Sequence, residues 1–166
     1  GDVYKRQSFN CADNNLLTGV RLATTYNNLN DNRQPTSGNF FTVSTEQFLG
    51  VDDDSPTFNR LRGSYTKFFP INWLKLHKGC RPEEGEKADC PQAIGVQVKG
   101  GMIVGDLPPY EAFCVGGSNS IRGWYNCDLA VARNFGEVTI EYRFPIISVF
   151  SGELFVDAGT DFDTQK

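Results

Sequence analysis

A period of two runs through this chain and limits what it can fold into. In Glu137-Val138-Thr139-Ile140-Glu141-Tyr142-Arg143-Phe144, the apolar set Val138, Ile140, Tyr142 and Phe144 alternates with Glu137, Thr139, Glu141 and Arg143. Such alternation places successive side chains on opposite faces of a strand. From Ile94 to Val104, Ile94, Val96, Val98, Met102 and Val104 oppose Gln97 and Lys99. Val20, Leu22 and Tyr26 oppose Arg21 and Ala23, and Leu61, Tyr65 and Phe69 oppose Arg60, Arg62, Ser64 and Thr66. Phe41 to Leu49 alternates less cleanly, and Glu153 to Ala158 is short. The pattern predicts an all-β, antiparallel meander of about six strands and no helix. Its longer strands reach roughly ten residues, enough to cross a membrane at a tilt, whereas soluble strands average about five or six.

The polar face carries both charge signs, with Arg21, Glu46, Arg60, Arg62, Lys99, Glu137, Glu141, Arg143 and Asp157 spread over several strands. In a soluble β-sandwich this would be the solvent face and the apolar face the core. In a membrane barrel the senses invert, with lipid outside and a wet, charged lumen inside. Alternation does not separate the two, but strand length and unequal loop lengths favour the barrel. Composition is neutral on this point, because a barrel dilutes its hydrophobicity by alternating. The net charge of −4 excludes a nucleic-acid footprint. No apolar run approaches the length of a membrane helix.

The connection from Gly105 to Asn134 is far longer than a hairpin loop, which marks it as functional. It contains Gly116-Gly117-Ser118-Asn119-Ser120-Ile121-Arg122-Gly123-Trp124, one arginine between turn-forming residues and an aromatic. A lone arginine in a turn usually reaches into water. The alternative is a latch, in which the loop folds inward and the planar guanidinium meets Glu141, Asp157 or both. Gly116, Gly117 and Gly123 would let the loop pass close to the wall.

With the lead-in Leu107-Pro108-Pro109-Tyr110-Glu111-Ala112-Phe113 and the following Glu141-Tyr142-Arg143-Phe144-Pro145, this segment resembles the BamA superfamily of outer-membrane barrels. The likeness includes that superfamily's (V/I)-R-G-aromatic loop motif, and is greatest to the cyanobacterial and chloroplast-envelope branch. The resemblance implies a transmembrane β-barrel of about sixteen strands, preceded by POTRA repeats, with the long loop folded inward. It also implies that Arg122 contacts acidic residues on the following strands, where Glu141 and Asp157 occupy the matching positions. The implied activity is insertion or translocation of other proteins in a bacterial outer membrane or chloroplast outer envelope, without covalent chemistry. The implied partners are outer-membrane lipid, unfolded outer-membrane or imported proteins, and accessory assembly subunits. A two-partner secretion transporter of the same superfamily is the nearest alternative, and a soluble β-sandwich binding module is the alternative of another class.

Cys80 and Cys90 bracket one loop, and Cys114 and Cys127 bracket the arginine loop, so disulfides are expected at both pairs, with Cys11 left over. The spacings suit neither a zinc ribbon nor a redox pair. Asp52-Asp53-Asp54 lacks the alternate ligands and glycine of a calcium loop and reads as a solvated tip. The single histidine, His77, has no catalytic companions. No enzyme, metal or cofactor is therefore expected. Residues 1–7 read as a cloning or assembly scar, and 8–166 as a barrel domain incomplete at both ends.

Overall fold

The computed structural model describes residues 17–51, 55–71, 92–147 and 150–162. The 1–7 segment, Cys11, the acidic tip at 52–54, His77, Cys80 and Cys90 lie outside the described residues. Six long strands pair with their neighbours in chain order: β1 (Leu17–Asn27), β2 (Gly38–Gly50), β3 (Phe58–Pro70), β4 (Ala93–Gly105), β7 (Asn134–Ile147) and β8 (Phe150–Phe162). Every pairing is antiparallel. The strands are longer than the alternation alone indicates, most clearly at β8, where the pattern marks only 153–158. Ladder hydrogen bonds extend through Ser151, Gly152, Gly159 and Thr160 because pairing uses the backbone, whatever the side chain.

Two three-residue strands, β5 (Phe113–Val115) and β6 (Ala130–Ala132), pair within the connection between β4 and β7. A 3-10 turn covers Pro109–Glu111. These elements depart from the plain six-strand expectation, since three residues are too few to show a period.

Register sorts the charges onto one face. Arg21 lies opposite Glu46, and Glu46 opposite Arg60. Lys99 lies opposite Glu137, and Arg143 opposite Glu153. Opposite charges facing each other across a ladder support the pairing. The other face carries Val20 and Leu22 of β1, Val104 of β4, Ile140 of β7 and Leu154 and Val156 of β8. All are half or more exposed, Val20 at 71% and Val156 at 70%. A sandwich would bury that face beneath a second sheet, yet the buried residues lie on the charged side. Phe58, Ile103 and Phe113 form one core cluster, with Phe48, Leu107 and Phe135 against it. Val115, Ile121 and Ala132 form the second. Each fully buried large side chain contributes about 1.5–3 kcal/mol. The core is thus the seam between the sheet's inner face and the β4–β7 connection, and the apolar outer face is bare, the arrangement of a barrel wall.

The β1–β2 turn is tied by its own side chains. Leu29 N donates to Asn27 Oδ1, Thr36 N and Ser37 N to Asn30 Oδ1, and Arg33 N and Gln34 N to Asp31 Oδ1. Those two donors hold the Asp31 carboxyl below its ordinary value. The support it gives the turn is therefore present above the ordinary carboxylate range and fades as pH falls through the lowered value.

With its large outer side chains uncovered, the protein should partition into detergent or lipid. Phase separation in a cloud-point detergent checks this, and a monodisperse, cooperatively folding monomer in plain buffer would refute it.

Candidate functional site

The inner face of β4, β7 and β8 receives the long connection as a folded loop. From Gly105 the chain passes through the 3-10 turn, places Phe113 on its neighbour Phe135 (centroids 4.8 Å apart), and enters β5. Gly116 and Gly117 then turn it with φ of 108° and 106°. A side chain is strained at such angles, and a Cβ on Gly116 would also stand 3.0 Å from the Tyr125 carbonyl oxygen. A disulfide joins Cys114 to Cys127 across 13 positions and closes the base of the tip. Closing such a loop removes unfolded conformations the tip would otherwise sample.

The tip is held by polar contacts to three strands. Lys99 of β4 donates to the Asn119 carbonyl oxygen at 2.7 Å. Ser120 Oγ donates to Glu137 of β7 and accepts from Gly116 N. Arg122 reaches β8. Its backbone N donates to Asp157 Oδ2 at 3.0 Å, Nε donates to the same oxygen at 2.8 Å, and Nη2 donates to Oδ1 at 2.9 Å. The third nitrogen, Nη1, donates to Glu153 Oε1 at 2.7 Å. The guanidinium carbon stands 3.5 Å from the centroid of Phe155, whose ring lies between the two carboxylates on the inner face of β8. The Asp157 side chain is only 3% exposed. Hydrogen bonds donated to the Asp157 and Glu153 carboxylates favour the charged guanidinium and raise the Arg122 pKa further above its already high value.

Among the candidate residues, the structure joins Arg122 to Asp157 but not to Glu141. Glu141 shares the inner face, yet its ion pair is with Arg143. Register explains the difference. Glu141 lies opposite Phe155, and Arg143 opposite Glu153. Arg143 pairs with both Glu141 and Glu153, and Glu153 is also the second acceptor for Arg122. Signs alternate along Asp157, Arg122, Glu153, Arg143 and Glu141. Ile121 is buried against Gly159, where a Cβ would come within 2.6 Å of its Cδ1. Gly123 adopts φ of 91°, and Trp124 beside it is 53% exposed. Sequence reasoning missed Glu153, Phe155, Ser120 and Lys99 as tip contacts. Glu153 and Phe155 share parity with Asp157, so the signal was there.

The geometry is that of a loop locked inside a curved, outwardly apolar sheet. The Omp85 superfamily domain matches residues 2–166. The chain belongs to the Omp85 superfamily. TOC75 of Pisum sativum is 36% identical over 132 residues, 78% of this chain and 15% of that protein. TOC75-4 of Arabidopsis thaliana is 32% identical over 128 residues, 77% of this chain and 30% of that protein. Outer envelope protein 80 of Arabidopsis thaliana is 31% identical over 121 residues, 73% of this chain and 14% of that protein. The chain therefore spans less than a third of these relatives. In fold it matches BamA from Haemophilus ducreyi lacking POTRA domains 1–3, with a TM-score of 0.63 at 17% identity, covering 86% of this chain and 29% of that one. The six-strand sheet is thus a section of an Omp85 barrel wall, and the arginine loop lies on its inner side.

Substitutions at two positions test the tip in this Omp85 chain. Exposed pairs contribute little and fully buried ones several kcal/mol, so Arg122→Ala should cost about 1–2 kcal/mol. It should lower the temperature at which the folded form is lost in detergent, read by heat-modified gel mobility. Arg122→Lys should recover little, because a point charge cannot replace the fork. Gly159→Val should displace Ile121 and crowd Glu137 without removing any charged group, at a cost of about 1–3 kcal/mol. Limited proteolysis should then cut the tip faster, and Gly159→Ala should have a smaller effect.

Proposed function

We propose that this chain forms part of the wall and the inner loop of a barrel that inserts or translocates other proteins. The site would be a chloroplast outer envelope or a bacterial outer membrane. The observation that carries the reading is the Arg122 tip bound to Asp157 and Glu153 on the inner face of a sheet whose outer face is bare and apolar. A wall of this kind spans lipid, and a loop pinned inside it controls the shape of the lumen. Membership of the Omp85 superfamily supports the same reading, as do relatives named TOC75 and outer envelope protein 80.

The work proposed is mechanical and electrostatic. The arginine latch holds β7, β8 and the loop in one arrangement, so the wall keeps its register while a passenger chain is threaded or inserted beside it. Its partners are unfolded outer-membrane or imported proteins, surrounding lipid and accessory assembly subunits. The relatives' chloroplast names favour assembly or import over two-partner secretion.

The test is reconstitution of the protein in liposomes, with two passengers offered unfolded. One is a small outer-membrane barrel, scored by heat-modifiable mobility. The other is a chloroplast precursor, scored by protection from added protease. One passenger should be inserted or protected faster than by empty liposomes, and Arg122→Ala should slow that step several-fold. Equal rates with and without the protein for both passengers would overturn the proposal.

A further inference from the structure

We propose that Glu111 and Arg60 form a second anchor, which positions the outgoing limb of the loop on β2 and β3 independently of the arginine tip. Arg60 projects from the inner face of β3, and its side chain is only 11% exposed. Its Nη2 donates to the Glu111 carbonyl oxygen at 2.9 Å and also to the Glu111 carboxylate. Its Nη1 donates to Glu46 Oε2 of β2 at 3.3 Å. Glu46 in turn faces Arg21 of β1, with Nε 3.4 Å from Oε1. A line of alternating charge thus runs from β1 through β2 and β3 into the loop.

Three features mark this contact as built rather than incidental. First, Arg60 takes both the backbone carbonyl and the side chain of one loop residue, fixing the path of the limb as well as a rotamer. Asp157 does the same at the tip, where it accepts from both the backbone N and the guanidinium of Arg122. Second, the stacked Phe48 and Phe58 rings lie together on one side of the Arg60 guanidinium at 5.4 and 5.8 Å, and neighbouring Arg62 lies 5.1 Å from the Phe113 ring. Apolar walls around a charged pair reduce its competition with water. Third, Pro108 and Pro109 open the 3-10 turn that presents Glu111, and their restricted φ limits the limb's conformations before docking.

The polarity is reversed between the two anchors. At the limb the wall supplies the cation and the loop the carboxylate. At the tip the loop supplies the cation and the wall the carboxylates. Neither anchor can therefore bind the other's partner, and the loop has one docked orientation. Between them β4 and β7 are bridged, so the loop braces the curvature of the sheet from β3 to β8. This inference concerns the loop's attachment and does not require the transport reading.

The test is hydrogen–deuterium exchange on the protein folded in detergent, which reads the loop without any transport assay. Glu111→Gln should speed exchange at residues 110–113 by about five- to thirty-fold, the factor that one to two kcal/mol produces. Residues 118–123 should be unchanged. Arg60→Gln should give the same pattern, and the double variant should exchange no faster than the faster single one, as expected for two members of one contact. Glu111→Asp, which keeps the charge, should fall between wild type and Glu111→Gln. Unchanged exchange at 110–113, or additive effects in the double variant, would overturn the anchor. Equal acceleration at the tip, or uniform acceleration through β3 and β4, would overturn its independence and make the pair a general stabiliser.

Discussion

A sheet that turns its apolar side outward must satisfy its charges from within. That constraint organises this structure. The inner face presents Arg60, Arg62, Lys99, Glu137, Glu141, Arg143, Glu153 and Asp157 on adjacent strands. A concave wall offers them limited access to water. Some are matched across a ladder, as Arg143 with Glu153, and others by the loop, as Lys99 with Asn119, Glu137 with Ser120 and Asp157 with Arg122. Arg122 is the central member, because one residue supplies three hydrogen bonds to Asp157 and a fourth to Glu153. Removing it would strip the Asp157 carboxylate of three hydrogen bonds and of the guanidinium packed beside it.

The loop is constructed to reach that position. Two glycines at positive φ reverse the chain, the Cys114–Cys127 disulfide closes the tip, and β5 with β6 gives its stem a ladder of its own. Apolar residues fill what remains, with Phe113, Val115 and Ile121 buried against the wall. The loop is therefore both the core of this section and the ligand of its charges. The long connection from β4 to β7 would otherwise carry a large ordering entropy. Here that cost is offset by buried aromatic area, a covalent closure and several charge-assisted hydrogen bonds at once.

How much of this was legible beforehand depends on the range of the interaction. The strands were legible, because alternation over about ten residues is a local signal set by the pleat. Their ends were less so at β2 and β8, where glycine, serine and threonine carry no hydrophobic contrast while the backbone ladder continues. The inner-face assignments of Glu141 and Asp157 followed from parity and agree with the register. Which of them meets Arg122 did not follow. That choice rests on Arg143 pairing with both Glu141 and Glu153 while Arg122 takes Glu153, a fact about four side chains, three on two strands and one on the loop. The role of Phe155 as a platform for the guanidinium is equally non-local.

The amino-acid sequence by itself determined the two-faced strands, their antiparallel order, the long connection with its turn-forming arginine tip, and the family to which these motifs point. All are properties of neighbours along the chain or of short spacings. Only the tertiary structure decided which face is covered. Alternation is symmetric between a sandwich and a barrel, and the symmetry is broken by where the connection packs. It packs on the charged face, through contacts such as Arg60 with Glu111 and Arg122 with Asp157, separated by 51 and 35 positions. Contacts at that range depend on strand register and loop path together, and no local pattern encodes either one alone.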